Sequence, residues 1–212
     1  MSPIKFSRYP KAGTLNRRIG LQNARSIVGT SLALLVSILA SGTAAADSTI
    51  VALGDSNTAG VGVGTEQAFP ARLESILRKR GRAVRVINAG ISGDTFGGLA
   101  SRVDGSLPKS TRLVIVQAGY NDRALGVPRE QTIANMKTVL SKLRARRVDA
   151  VLCGFFDKGW DAVGRQVASQ YGARFVPGGT CYDPQHRGPD GLHMSAAGHQ
   201  VIAGRLANVV GR

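Results

Sequence analysis

Cysteine is nearly absent: Cys153 and Cys181 are the only two in 212 residues, too few for a disulfide-stapled miniature scaffold or a cysteine-built metal module. Histidine is scarce as well, and neither His186 nor His199 has spaced carboxylate or cysteine partners in the chain. No metal site and no metal cofactor is therefore expected. Aromatic residues make up 5%, and no long basic tract is interleaved with them, so a nucleic-acid partner is not expected. Long apolar runs are missing too. The charge-free stretch Ile27 to Ala40 is too short for a comfortable membrane span. After residue 47 there is no internal repeat and no low-complexity linker, which points to one domain. What remains is 43% hydrophobic and 19% charged, the balance of a soluble globular chain with enough length to bury a core.

The first 46 residues differ in kind from the rest. Lys5, Arg8, Lys11, Arg17, Arg18 and Arg25 are unopposed by any acid, the apolar run follows, and Ala44-Ala45-Ala46 precedes Asp47. A basic start, a short apolar stretch and small residues at the cut predict a secretory signal peptide over 1–46 and a mature domain over 47–212. Arg17-Arg18 is compatible with a twin-arginine route without requiring it. A periplasmic or secreted protein is expected, with no stable membrane insertion once the leader is gone. Removing six cations lowers the formal charge from +15 to +9. The surplus would suit anionic partners, but Arg78-Lys79-Arg80 and Arg144, Arg146 and Arg147 fall where helices should end, and cations there suit the macrodipole. In an exported protein Cys153 and Cys181 are either joined or two buried thiols. The sequence leaves both open, since it does not supply the Cα separation.

Along the mature chain strand-like and helix-like segments alternate. Thr49–Leu53, Val84–Asn88, Leu113–Gln117, Ala150–Cys153 and Arg174–Val176 read as strands. Helices are predicted over Phe69–Arg80, Pro128–Arg146 and around Asp161–Gln170, with a last one capped by Ser195. Alternation of this kind predicts an α/β fold with a parallel sheet covered on both faces. In such sheets ligands bind at the carboxyl ends of the strands. There the chain carries Gly54-Asp55-Ser56, Ala89-Gly90, Gly119-Tyr120-Asn121-Asp122 and, before the last helix, Asp190-Gly191-Leu192-His193.

Those residues suit nucleophilic catalysis. A serine attacks only when a base takes its proton and a third group holds that base in the right tautomer. Ser56, His193 and Asp190 are the candidates. Oxyanion donors would be the backbone N–H groups of Ser56 and Gly90 and the side-chain amide of Asn121. Asp55 and Asp122 read instead as acceptors for nearby backbone N–H groups. The glycines at 60, 62 and 64 lack the dinucleotide-binding spacing and read as a mobile loop.

Gly54-Asp55-Ser56 with Asn57-Thr58-Ala59-Gly60 resembles the first block of the GDSL/SGNH hydrolase family. Asn88–Thr95, Gly119-Tyr120-Asn121-Asp122 and Asp190-Gly191-Leu192-His193 are similar to its later blocks, in order and spacing, over roughly residues 49 to 206. The bacterial periplasmic thioesterase/lysophospholipase branch is the nearest in detail. The resemblance implies a three-layer α/β/α, flavodoxin-like fold with a five-stranded parallel sheet. It also implies an acyl-enzyme route on carboxylic esters or thioesters, a small-molecule or lipid acyl ester as substrate, and no cofactor. Two departures bear on substrate: Tyr120 stands where that branch often has a small residue, and the segment from Phe155 to Trp160 looks short. A carbohydrate or cell-wall O-deacetylase is the alternative within the same chemistry, and a non-catalytic envelope binding protein the alternative outside it. Oligomeric state is not legible.

Overall fold

A computed structural model describes residues 48–154 and 157–211; the expected leader and its cleavage point lie outside them. Strand β1 (Ser48–Gly54) is apolar along almost its whole length and buried on both faces, as a central parallel strand must be. Its neighbours are β2 (Val84–Gly90) and β3 (Thr111–Gln117), followed outward by β4 (Asp149–Cys153) and β5 (Arg174–Val176). The order is β2-β1-β3-β4-β5 and every pairing is parallel. This is the expected α/β architecture.

Alternate residues of each strand face opposite layers. Ile50, Ala52, Val84, Ile115 and Val151 pack with Phe69, Leu73 and Leu77 of one helix and Ile202 and Leu206 of another. Val51, Leu53, Val114 and Leu152 pack on the other side with Phe96, Leu99, Met136, Leu140 and Val167. Each such fully buried aliphatic or aromatic side chain contributes about 1.5–3 kcal/mol, so the two layers hold the sheet between them.

The helices are α1 (Ser56–Ala59), α2 (Phe69–Lys79), α3 (Phe96–Arg102), α4 (Tyr120–Ala124), α5 (Arg129–Ala145), α6 (Lys158–Tyr171), α7 (Gly178–Cys181) and α8 (Ala196–Val210). Pro70 lies in the first turn of α2, and the Ser195 side chain accepts from Gly198 N to cap α8, both as the sequence predicts. Helices α1, α3, α4 and α7 were not legible. Three are single turns, too short to show a 3.6-residue period. The fourth, α3, carries Gly97 and Gly98 and is begun by the Thr95 hydroxyl accepting from Gly98 N at 3.2 Å.

As expected, Arg78 and Lys79 lie in the last turn of α2 and Arg144 in the last turn of α5, and other arginines serve carbonyls of neighbouring elements. Arg80 Nη1 donates to Ala207 O at 3.1 Å and Arg82 Nη1 to Val210 O at 2.7 Å, and Arg174 reaches Val209 O. Three guanidinium groups thus close the carbonyl end of α8, where cations are favoured. Arg146 does the same for Asp104 O and Leu107 O. Much of the basic charge is therefore structural. The glycine-rich segment expected to be mobile is a run of hydrogen-bonded turns: Gly60 N and Val61 N donate to Ser56 O, and Gly64 N to the Gln67 side chain.

Cys153 and Cys181 are joined, with Cα atoms 5.9 Å apart. The bond ties the end of β4 to α7, just beyond β5.

Candidate active site

In the sheet register Gly54 lies level with Gly90 on one side and Gln117 on the other. Strands β2, β1 and β3 therefore end at one rim, and the turns after them are brought together. Gly54 is required by a close approach: a Cβ there would lie 2.1 Å from Thr58 Oγ1 and 2.5 Å from Gln117 O. The chain can then fold sharply into α1. Asp55 caps that helix, its Oδ1 accepting from Asn57 N at 2.9 Å. Burial pushes the Asp55 carboxyl up to about 6, against the opposing pull of that N–H. Ser56 is the first residue of α1, where a backbone N–H has no intrahelical acceptor.

The second half of the site is the loop before α8. Asp190 Oδ1 accepts from Leu192 N and His193 N, both at 2.9 Å, and Oδ2 lies 2.6 Å from His193 Nδ1. The His193 side chain, then these two N–H groups, hold the Asp190 carboxyl down to about 2. With Nδ1–H donated to a carboxylate, the neutral ring presents Nε2 as an acceptor. The loop is pinned by Gly188 N to His193 O at 2.7 Å and Ser195 N to His186 O at 2.9 Å. It is tied to the serine turn by Asn57, whose Oδ1 accepts from Met194 N at 3.3 Å. Asn57 follows Ser56 and Met194 follows His193, so this bond links the two halves directly. Among the described residues no hydrogen bond joins the Ser56 hydroxyl to His193. Such contacts are often long without substrate and tighten when it binds. Asn57 was quoted in the sequence only as part of a motif; its adjacency to Ser56 was the available signal.

Asn121 enters from α4, behind Gly119, whose φ of 117° suits glycine. Asn121 Nδ2 donates to Asp94 O at 2.8 Å, which uses one of the two amide hydrogens and leaves the other. Asp122 accepts from Phe96 N through both oxygens, and burial raises its carboxyl above the usual range. Asp55 and Asp122 are thus backbone acceptors, as the sequence suggests.

Gly90 departs from expectation. Its N–H is already donated to Asn88 Oδ1 at 3.0 Å, and a Cβ would lie 2.1 Å from Ala59 N. It is glycine because β2 runs against the α1 backbone. Three residues on, Gly93 has φ +79° and open space where a Cβ would be, and its N–H has no acceptor among the described residues. Asn121 is bonded to the very next residue, Asp94, which brings its amide beside the Gly93 turn.

A cleft of about 330 Å³ abuts these residues. Asn57, Gly119, Tyr120, Gly191 and Leu192 line it, each within two residues of Ser56, Asn121 or the Asp190–His193 pair. Trp160 and Tyr182 also line it.

His186 and His199 stand apart from the rim. His186 does have a spaced carboxylate, against the sequence reading: Asp183 Oδ2 lies 3.2 Å from its Nδ1, and Arg205 is 3.3 Å from the same oxygen. His199 is fully buried and accepts from Phe69 N at 3.2 Å through Nδ1. Among the described residues no group of three or more His, Cys, Asp or Glu is placed to hold a metal ion.

Fold and rim together define a class: three-layer α/β/α proteins carrying a serine, an asparagine and an aspartate–histidine pair on one edge of a parallel sheet. The chain belongs to the GDSL-like lipase/acylhydrolase family, whose model matches residues 52–201. It is similar to the esterase TesA of Pseudomonas aeruginosa, 32% identical over 133 residues, or 62% of this chain and 61% of that one. The chain thus spans about three fifths of that relative's length. It also resembles the thioesterase 1/protease 1/lysophospholipase L1 of Escherichia coli K12, 26% identical over 88% of this chain and 95% of the relative. Among solved structures, the SGNH-hydrolase family esterase AlinE4 superposes with a TM-score of 0.62 at 29% identity, covering 78% of this chain and 95% of that one.

Proposed function

We propose that the protein is an exported serine esterase that cleaves carboxylic ester or thioester bonds through an acyl-enzyme. The observation that carries this is the Asp190–His193 contact of 2.6 Å on a loop bonded to the serine turn through Asn57 and Met194. In the first step the Ser56 proton passes to His193 Nε2 as Oγ bonds to the carbonyl carbon. Asp190 holds the ring and stabilises its cation. The carbonyl oxygen becomes an oxyanion, stabilised by the N–H groups of Ser56 and Gly93 and the free amide hydrogen of Asn121; Gly93 takes the place the sequence assigned to Gly90. The tetrahedral centre collapses, the leaving alcohol or thiol takes the proton from His193, and Ser56 is left acylated. Water, deprotonated by the same histidine, then releases the acid and restores Ser56.

Export is proposed from the basic, apolar and small-residue order of the first 46 residues. The Cys153–Cys181 bond suits an oxidising compartment. No helix of the described residues is long and apolar enough to cross a membrane.

Purified residues 47–212 should hydrolyse p-nitrophenyl esters, and Ser56→Ala should abolish the reaction. An optimum at acetate would move the reading to an O-deacetylase, and a longer optimum to a lipid esterase or thioesterase. Turnover that survives Ser56→Ala, or no turnover on any chain length, would overturn it.

A further inference from the structure

The cleft beside Ser56 has apolar walls and two cations. Tyr120, Trp160, Tyr182 and Leu192 supply the walls, and Arg123 and Arg187 the guanidinium groups. Many of the other arginines are taken up by the fold itself. Arg80, Arg82 and Arg146 are engaged by main-chain carbonyls, and Arg78 and Arg102 by carboxylates. Among the described residues Arg123 has neither kind of partner.

Arg187 is held rather than free. Its Nε donates to Tyr182 Oη at 3.0 Å, and its guanidinium carbon lies 5.9 Å from the centre of that ring. Tyr182 Oη donates in turn to Leu192 O at 2.8 Å, one residue before His193. An antiparallel bridge between Arg187 and Met194 fixes the backbone. The guanidinium is thus oriented from the loop that carries the proposed base, while its two Nη groups have no acceptor among the described residues. The one acid in the lining is Asp157, whose Oδ1 already accepts from Gly159 N and Trp160 N at the start of α6. Asp157 brings one negative charge to the lining against two guanidinium groups, so the cleft carries a net positive charge beside its apolar walls. Guanidinium matches carboxylate and phosphate oxygens in both charge and donor geometry.

We propose that Arg123 and Arg187 make the enzyme selective for acyl substrates that carry a negatively charged group, carboxylate or phosphate, beside an apolar portion. The inference rests on the esterase reading and adds the charge of the substrate to it. Both residues are specificity determinants and neither takes part in the proton transfers.

The test compares matched esters in the mature protein, with the charge placed on either side of the scissile bond. In the acyl arm the p-nitrophenyl monoester of glutarate is set against p-nitrophenyl valerate. In the leaving-group arm p-butyryloxybenzoate is set against its methyl ester. The quantity read is the anionic-to-neutral ratio of kcat/KM. In Arg123→Gln/Arg187→Gln this ratio should fall about three- to tenfold in at least one arm, and the wild-type preference should shrink as salt is raised. The arm that responds shows where the charge sits. Arg187→Glu, a reversal at an exposed position, should lower the ratio further, with melting temperature as the check on folding. A ratio that the double variant leaves unchanged in both arms overturns the proposal while the esterase reading stands. A wild-type protein that cleaves none of the four esters fails the esterase reading, and this inference with it.

Discussion

In the proposed mechanism single residues carry the chemistry, and their types are legible in the sequence. Ser56, Asn121, Asp190 and His193 are marked by chemical type and by motif, because a nucleophile, an amide donor and an acid–base pair admit few substitutes. The sequence offers Gly90 rather than Gly93 because a backbone N–H looks the same in sequence whether or not a neighbour has taken it. Asn88 Oδ1 takes it here. Alanine substitutions should separate the two glycines. Gly90→Ala forces a Cβ to 2.1 Å from the Ala59 nitrogen and should lower the melting temperature by several degrees or prevent folding. Gly93→Ala meets only the strain of φ +79°, about 1 kcal/mol, so its larger effect should be on kcat. Asn121→Ala should cost about a hundredfold or more in kcat, measured on a p-nitrophenyl ester beside circular dichroism as a folding check. For pH, the carboxyl of Asp190 is held down to about 2 and stays ionised through the working range. Protonation of Asp190 is therefore not the cause of any loss of rate in mild acid. A rate flat through mildly acidic pH would rule out His193 as base.

At the scale of elements, the long amphipathic helices and the strands could be read from apolar spacing, and α2, α5, α8 and all five strands lie within a few residues of expectation. The short helices α1 and α4 could not, although they present Ser56 and Asn121. They form because caps and glycines at the strand ends turn the chain, as Asp55 does for α1. The disulfide belongs to this scale. It closes a segment of 28 residues between β4 and α7, which by chain entropy is worth about 3–4 kcal/mol. Tyr182, next to Cys181, donates to the Leu192 carbonyl in the base loop. Reduction, or Cys153→Ala/Cys181→Ala, should therefore lower the melting temperature and also the rate below it. An unchanged rate in the folded, reduced protein would show that α7 keeps its place without the bond. In the core, Leu140→Ala should cost about 2–5 kcal/mol, read as a shift in the urea midpoint with activity retained in the folded fraction.

For the molecule as a whole, two buried titratable groups make stability depend on pH with opposite signs. Burial, and then the charge of His193, lower the His199 pKa from 6.5 to about 4. Between these values the unfolded chain binds the extra proton, so stability is complete above about 6.5 and is lost as pH falls toward 4. Asp55 is raised from 3.8 to about 6. The folded state holds that proton more tightly, so the carboxyl's contribution is full below 3.8 and is lost as pH rises through 6. Urea titrations of His199→Gln should show a shallower loss of stability in mild acid than the parent. Asp55→Asn should gain stability relative to the parent above pH 6 and converge with it in acid. What the sequence by itself determined is the alternation of elements, hence a parallel α/β sheet, and the residue types of the site, since both follow from local spacing and from chemistry that few side chains can perform. Only the tertiary structure decided which N–H groups remain free at the rim, that the two cysteines meet, which arginines are consumed by helix carbonyls and which ones line the cleft. Each of these depends on what lies opposite a group across a fold, and partners scores of residues away, such as Asn57 and Met194 or Arg80 and Ala207, leave no periodic trace along the chain.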